Sequence, residues 1–172
     1  MKGDSLIELI RLPEERKAVA IGKNAAVKKQ IEKLTETEIT IDDDVRIQGE
    51  PVGVMDAKNI ITAIGRGFSP DTAMKLSDGN KSLEVISLNE YGPKKKITQK
   101  ARIIGTKGRT RKLIEQFTGC DVSVYGNTVS IIGDWESVDL ARQAIMRLLT
   151  GKSHSTVYKF LEKNFKPKGT LP

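Results

Sequence analysis

Short stretches in which apolar and polar residues alternate mark the strands of this chain. Residues 38–41 and 45–49 alternate in this way, as do residues 121–125 and 128–132, while residues 5–12 and 82–88 have a strand-like composition. Turn-forming residues separate the two members of each pair, an acidic triplet at 42–44 and Gly126-Asn127. The pattern predicts an opening strand and a later hairpin in each half of the chain.

Apolar residues at helical spacing occupy the segments between and after these strands. The faces consist of Val27, Ile31 and Leu34; Val54, Ala57, Ile61 and Ile64; Leu113, Ile114 and Phe117; and Val138, Ala141, Ile145 and Leu148. Two further helices are predicted at 14–20 and 95–103. Pro51 suits the first turn of one closing helix, and Asp134 is a good N-cap residue for the other.

The two halves of the chain are copies of one unit. Gly22 aligns with Gly105, and after a one-residue insertion Val45 aligns with Val129. The alignment continues in order to the pair Gly67 and Gly151. Solenoids normally need three or more shorter repeats, so a duplicated small domain is the better interpretation. We therefore predict an α+β protein with the order β-α-α-β-β-α twice, each unit a three-stranded antiparallel sheet covered by helices.

A glycine loop lies between two predicted helices of the second copy, at Gly105-Thr106-Lys107-Gly108. Glycine lets the backbone approach a phosphate closely and adopt positive φ, and the free N–H groups of the next helix face the same phosphate. Residues 93–113 contain nine basic residues and no Asp or Glu, and such one-signed charge favours a polyanion. Together these features match the GXXG element with which KH domains clamp about four nucleotides. The predicted RNA-binding residues are Arg102, Ile104, Gly105, Thr106, Lys107, Gly108, Arg109, Arg111 and Lys112.

The corresponding loop of the first copy is degenerate. It reads Gly22-Lys23-Asn24-Ala25, so Ala25 replaces the second glycine, and acidic residues at 14 and 15 dilute the nearby basic charge. Two roles are open for this loop. One is weak RNA binding through Gly22, Lys23, Asn24 and Lys28, and the other is a structural or protein-binding role. The predicted organisation is two tandem type I KH domains at 5–67 and 82–151, an interdomain segment at 68–81, and a C-terminal helix with a basic tail at 152–172.

Composition narrows the remaining possibilities. The chain has 172 residues and a net charge of +7, which favours a partner that carries phosphate groups. One Cys and one His cannot supply a zinc site, and Cys120 is predicted to fill the core. The acidic triplet at 42–44 is typical of a hairpin turn, so we expect neither catalysis nor a cofactor.

No apolar run is long enough for a membrane helix or a signal peptide, so we expect a cytoplasmic protein without a membrane partner. Trp135 is predicted to pack.

Four stretches, residues 63–70, 102–110, 123–127 and 151–158, are similar to a known family. In them the chain resembles the two-KH small-subunit ribosome-biogenesis proteins, the partner-of-Nob family, in its archaeal form. The resemblance implies a non-enzymatic assembly factor that binds single-stranded RNA near the 3′ end of small-subunit rRNA. It also implies the endonuclease that matures this end, and an initiation-factor subunit, as partners. The alternative is an RNA-recruiting KH subunit of an RNA-decay or translation-regulatory complex.

Overall fold

The computed structural model describes residues 4–165, and the chain divides into two compact units. One unit ends at Leu83 and the other begins at Glu84. Each unit has its own three-stranded sheet.

The first unit has the predicted order of elements, followed by one more helix. Its elements are β1 Leu6–Ile10, α1 Glu14–Ile21, α2 Ala26–Thr35, β2 Thr37–Ile41, β3 Val45–Gly49, α3 Pro51–Gly65 and α4 Pro70–Met74, with 3-10 turns at Lys23–Ala25 and Lys75–Ser77. The strand order is β1-β3-β2, and both pairings are antiparallel. Pro51 lies in the first turn of α3, as predicted.

Alternation along the hairpin builds the core of the first unit. Ile39 pairs with Ile47, and both are buried on the face of the sheet that α2 and α3 cover. The chain has Gly53 where α3 crosses the end of α2, because a Cβ there would lie 2.2 Å from the carbonyl oxygen of Thr35. The glycine therefore allows the two helices to pack backbone to backbone.

The second unit repeats this architecture. Its elements are β4 Lys81–Ser87, α5 Pro93–Ile104, α6 Arg109–Thr118, β5 Asp121–Tyr125, β6 Thr128–Asp134, α7 Trp135–Leu149 and α8 His154–Asn164, with a 3-10 turn at Thr106–Gly108. The strand order is β4-β6-β5, so β5 lies at an edge. Cys120 is buried in the core, as predicted, and a Cβ on Gly133 would lie 2.6 Å from its Sγ.

Each unit continues past the predicted repeat into a helix with the same N-cap. The Ser69 hydroxyl accepts a hydrogen bond from the N–H of Thr72, and the Ser153 hydroxyl from the N–H of Thr156. The segment 68–81, predicted to connect the domains, thus contains α4 and buries Phe68. The domain limits 5–67 and 82–151 stay a prediction, and most of the predicted basic tail lies outside the described residues.

The start of α7 differs from two sequence interpretations. Asp134 occupies the N-cap position, but its side chain does not cap the helix. Trp135 is 69% exposed, so the prediction that it packs is wrong. Trp135 is exposed because it precedes the buried face of α7, which begins at Val138.

Candidate nucleic-acid interface

The second loop, Gly105-Thr106-Lys107-Gly108, joins α5 to α6 through backbone that only glycine adopts easily. Gly105 has φ 74°, and a Cβ there would lie 2.3 Å from Thr110 Oγ1, so the position excludes other residues. Lys107 and Gly108 follow with φ 54° and 75°. A Cβ on Gly108 would meet only Lys112 Cε, at 3.9 Å. The backbone at Gly108 is therefore open to a ligand.

The N-terminus of α6 lies beside this opening. Gly108 is the N-cap residue of α6 and offers no side-chain acceptor to the first turn. The first N–H groups of a helix have no partner within the helix and carry its positive dipole end. The hydroxyl of Thr110 is engaged with the hydroxyl of Tyr158 at 2.8 Å. The loop therefore lies at the positive end of the α6 dipole, which favours an anion.

Unpaired cations lie along α5, in the second loop and in the first turn of α6. Within residues 4–165, five basic side chains of the run 93–113 have neither a hydrogen bond nor an ion pair with another described residue: Lys94, Lys100, Lys107, Arg109 and Lys112. Lys95 lies over the ring of Tyr91 at 4.8 Å, and Lys96 is 3.5 Å from the Asn89 side chain. The five unpaired charges face solvent without a counter-ion of their own, which favours phosphate binding.

Two arginines predicted to bind RNA have intramolecular partners. Arg102 donates to the carbonyl oxygens of Leu148, at 3.3 Å, and Lys152, so it caps the end of α7. Arg111 donates to the carbonyl oxygen of Val122 at 3.3 Å and forms an ion pair with Glu115 at 3.5 Å. Both guanidinium groups therefore have fixed positions, and their charge contributes to the field around the loop.

The first loop, Gly22-Lys23-Asn24-Ala25, has nearly the same backbone as the second loop. Gly22 has φ 74° and ψ 175°, against 74° and 172° at Gly105. Asn24 has φ 54° and ψ 34°, and Ala25 is left-handed with φ 59° and ψ 23°. Ala25 thus keeps the conformation that Gly108 has in the second loop, at the conformational cost of a left-handed Cβ residue. The missing glycine has not changed the path of the backbone.

Charge pairing, by contrast, distinguishes the two loops. Lys28 lies 3.2 Å from Glu32 and donates to the carbonyl oxygen of Ile39, the counterpart of the Arg111 network. The carboxylate of Glu14 lies 2.8 Å from Lys17 Nζ, and this hydrogen bond raises the pKa of Lys17.

Arg16 is also engaged, because it donates to the carbonyl oxygens of Ile64 and Phe68, each at 2.8 Å. Within the described chain, Lys23 and Lys29 are the basic residues of the stretch 14–30 without such a partner. The first loop therefore has the backbone of a binding loop but few unpaired cations.

The aliphatic residues near the second loop divide between core and surface. Ile103 and Val122 are buried, whereas Ile104 is 36% exposed immediately before the second loop. Ile97, which the sequence interpretation did not include, is 70% exposed. It lies two helical turns before Ile104, so both project from one side of α5. Their period of seven residues was the signal that could have identified Ile97.

Two aromatic residues of α8 also lie beside the second loop and were missed as site residues. His154 Nε2 is 2.9 Å from the carbonyl oxygen of Arg102, and Tyr158 bonds to Thr110. They line a cleft of about 490 Å³ whose other walls include Thr98 and Arg109. No sequence signal could place the start of α8 beside the end of α5, because that position depends on the packing of α8 on α6 and α7.

The described residues carry no other arrangement that suggests chemistry. Among residues 4–165, no group of His, Cys, Asp or Glu side chains could hold a metal ion. The acidic triplet at 42–44 forms the exposed turn of the first hairpin. Over the same residues, no helix combines the length and apolar composition that a membrane crossing requires.

Comparisons with known proteins agree with this geometry. The family model for the second PNO1 KH domain, described as a eukaryotic-type KH domain (type I), matches residues 82–166. A KH domain-containing protein of Methanocaldococcus jannaschii is 43% identical over 169 residues, which cover 93% of this chain and 74% of that protein.

Solved structures are similar over almost the whole chain. Dim2p from Pyrococcus horikoshii is 42% identical, with a TM-score of 0.86 over 92% of this chain and 99% of that one. A second structure from that organism, an a/eIF2alpha-aDim2p-rRNA complex, matches at 42% identity with a TM-score of 0.87 over 92% of this chain and 93% of that one. A protein of unknown function from Aeropyrum pernix is 35% identical, with a TM-score of 0.87 over 95% of this chain and 90% of that one. By fold, by the match of its second unit and by these relatives, the chain belongs to the archaeal Dim2p family of PNO1-type KH-domain proteins.

Proposed function

We propose that the chain is an RNA-binding assembly factor of the small ribosomal subunit, and that its second loop grips single-stranded rRNA near the 3′ end. The observation that carries this proposal is a loop whose glycine backbone is open to a phosphate and beside which Lys107, Arg109 and Lys112 are unpaired among the described residues. A duplex is a poor target, because the major groove of A-form RNA hides its base edges.

The partners follow from a relative whose structure is a complex with rRNA and a/eIF2alpha. At 42% identity over nearly all of both chains, it supports rRNA and an initiation-factor subunit as partners of this protein. The maturation endonuclease is a further proposed partner, because a single-stranded 3′ end must be held while it is cut. We place the protein in the cytoplasm, where ribosomal subunits assemble in a cell without a nucleus.

The first unit is, in this proposal, a second KH domain. Its strand order, β1-β3-β2, corresponds to β4-β6-β5, and the backbone angles of its loop match those of the second loop. Gly22, Lys23 and Asn24 make weak phosphate contacts, while Lys28 supports the fold through Glu32. Two tandem KH domains then grip the RNA unequally.

Competition binding at near-physiological salt tests the ribosomal assignment. We expect the 3′ tail of small-subunit rRNA to compete better than a scrambled strand of equal length, and a duplex to compete poorly. Equal competition by the scrambled strand would contradict the ribosomal target and favour the alternative, a KH subunit of an RNA-decay or translation-regulatory complex. An incubation of the tail with the protein and Mg²⁺ tests the non-enzymatic role, which requires that the RNA stay intact.

A further inference from the structure

Helix α5 separates two surfaces that both end at the second loop. At 100° per residue, Ile97, Lys100 and Ile104 lie on one side of the helix, and Thr98 and Arg102 on the adjacent side. The first side carries the exposed aliphatic residues. The other side forms one wall of the cleft of about 490 Å³, and α8 forms another wall. A strand clamped at the loop can therefore extend from one surface to the other.

The charge and size of this cleft fit a nucleotide. Its lining includes Arg102, Arg109 and His154 and no acidic residue. Arg109 is unpaired among the described residues, whereas Arg102 is held by two carbonyl oxygens. A volume of about 490 Å³ lies within the range of small-ligand sites, roughly 300–1,000 Å³.

Two rings with fixed positions form the wall of the cleft on α8. His154 and Tyr158 are one helical turn apart, with ring centroids separated by 6.1 Å. The hydrogen bond of His154 to the Arg102 carbonyl and that of Tyr158 to the Thr110 hydroxyl restrain both side chains. Rings that are already ordered lose little entropy when a base stacks on them, and stacking tolerates any base.

Over its described residues, the first unit has no such pair of rings. Aligning the capping residues Ser69 and Ser153 places Pro70 opposite His154 and Met74 opposite Tyr158. The aromatic pair is thus specific to the unit whose loop has the unpaired cations.

We propose that this cleft binds the base of a nucleotide that flanks the nucleotides clamped by the second loop, on the same RNA strand. The base contacts His154 and Tyr158, and its phosphate contacts Arg109. The inference rests on the proposed RNA-binding function and adds a base-binding position outside the groove of about four nucleotides.

Fluorescence anisotropy with a series of tail oligonucleotides tests the cleft, each strand lacking one base but keeping its sugar and phosphate. With the wild-type protein, we expect one position outside the clamped nucleotides at which loss of the base weakens binding about tenfold. Ala101→Phe fills the cleft from the exposed face of α5. It should weaken binding of the intact strand by a similar factor and abolish the further loss at that position.

The matched control is Ala18→Phe. Ala18 is exposed, and its carbonyl accepts the N–H of Gly22, as the carbonyl of Ala101 accepts the N–H of Gly105. This control should keep the tenfold effect of the missing base. If thermal melting shows that Ala101→Phe does not fold, His154→Ala makes the same comparison without adding bulk.

Two results would overturn the proposal, and they are distinguishable. If the wild-type protein binds no single strand, the proposed function and the cleft assignment both fail. If Gly108→Asp abolishes binding but the effect of each missing base is the same in Ala101→Phe as in wild type, only the cleft assignment fails.

Discussion

The two glycines of the second loop serve different physical purposes. At Gly105 a side chain has no room, because Thr110 occupies the space that a Cβ would need. At Gly108 the space is open, and what glycine provides is positive φ and a bare Cα facing the ligand. A substitution at Gly105 therefore acts on the fold, and one at Gly108 acts on binding.

Gly108→Asp should weaken binding of single-stranded RNA by about tenfold or more, because a carboxylate enters the position of a phosphate. Gly119→Asp is the matched control, since Gly119 has φ 71°, nothing within 4 Å of a built Cβ, and a position at the far end of α6. Both variants carry the same backbone strain and added charge. Equal affinities of the two variants for RNA would contradict the assignment of the loop.

Ala25→Gly tests whether the missing glycine weakens the first loop. Ala25 already has the left-handed conformation, so we expect RNA affinity to change by less than about twofold. Removing the methyl group relieves the cost of a left-handed residue in the folded state, but it also gives the unfolded chain more conformational freedom. Because these effects oppose each other, the free energy of unfolding should change by less than about 1 kcal/mol. A large gain in affinity, measured by anisotropy, would show that the methyl group blocks a phosphate.

Among the elements, the loop-bearing helix is connected to the edge strand in both units. Glu115 on α6 accepts the N–H of Val122 on β5 at 2.9 Å while pairing with Arg111. In the first unit Glu32 accepts the N–H of Ile39 at 2.8 Å while pairing with Lys28. The basic residue therefore stabilises the orientation of the helix that presents the loop.

Glu115→Gln should move stability and binding in opposite directions. The amide oxygen can still accept from Val122, but the ion pair with Arg111 is lost, so we expect a loss of about 1 kcal/mol or less in the free energy of unfolding. RNA affinity at low salt should rise about two- to fivefold, because a negative charge is removed and Arg111, still bonded to the Val122 carbonyl, loses its ion pair. Denaturant unfolding and anisotropy measure the two effects. Glu136→Gln makes the same charge change at an exposed position of α7, and an equal rise there would exclude a local effect at Arg111.

For the whole molecule, the two units differ in available charge more than in the backbone of their loops. In the stretch 93–113 five basic side chains are unpaired among the described residues, whereas in the stretch 14–30 Lys23 and Lys29 are. The net charge of +7 therefore does not show that most of the cations available to a phosphate lie in the second unit.

Lys107→Glu should therefore reduce RNA affinity more than Lys23→Glu. Contacts between four or five cations and phosphates predict a slope of about −3 for log affinity against log salt concentration, and Lys107→Ala should make that slope shallower by about 0.7. Lys23→Ala should leave the slope nearly unchanged. Salt titrations of the three proteins measure this difference, and equal losses for the two Glu variants would show that both loops bind fully.

Sequence alone predicted the strands and the helices other than α4, because each depends on local pattern. Alternation identified the hairpins of both units, and helical spacing identified α2, α3, α6 and α7. Glycine and turn residues placed the loops, since positive φ and chain reversal are local demands on the backbone. The family resemblance, carried by short motifs, was also readable from the chain.

Tertiary structure decided which of the predicted site residues are available. Arg102 and Arg111 look the same in sequence as Arg109, yet contacts with distant carbonyl groups engage the first two and leave Arg109 unpaired among the described residues. The placement of His154 beside Arg102 depends equally on how α8 packs on α6 and α7. The sequence shows the positions of the charges, but only the fold shows which of these arginines already have partners, because their carbonyl contacts join residues 11 to 50 positions apart in the chain.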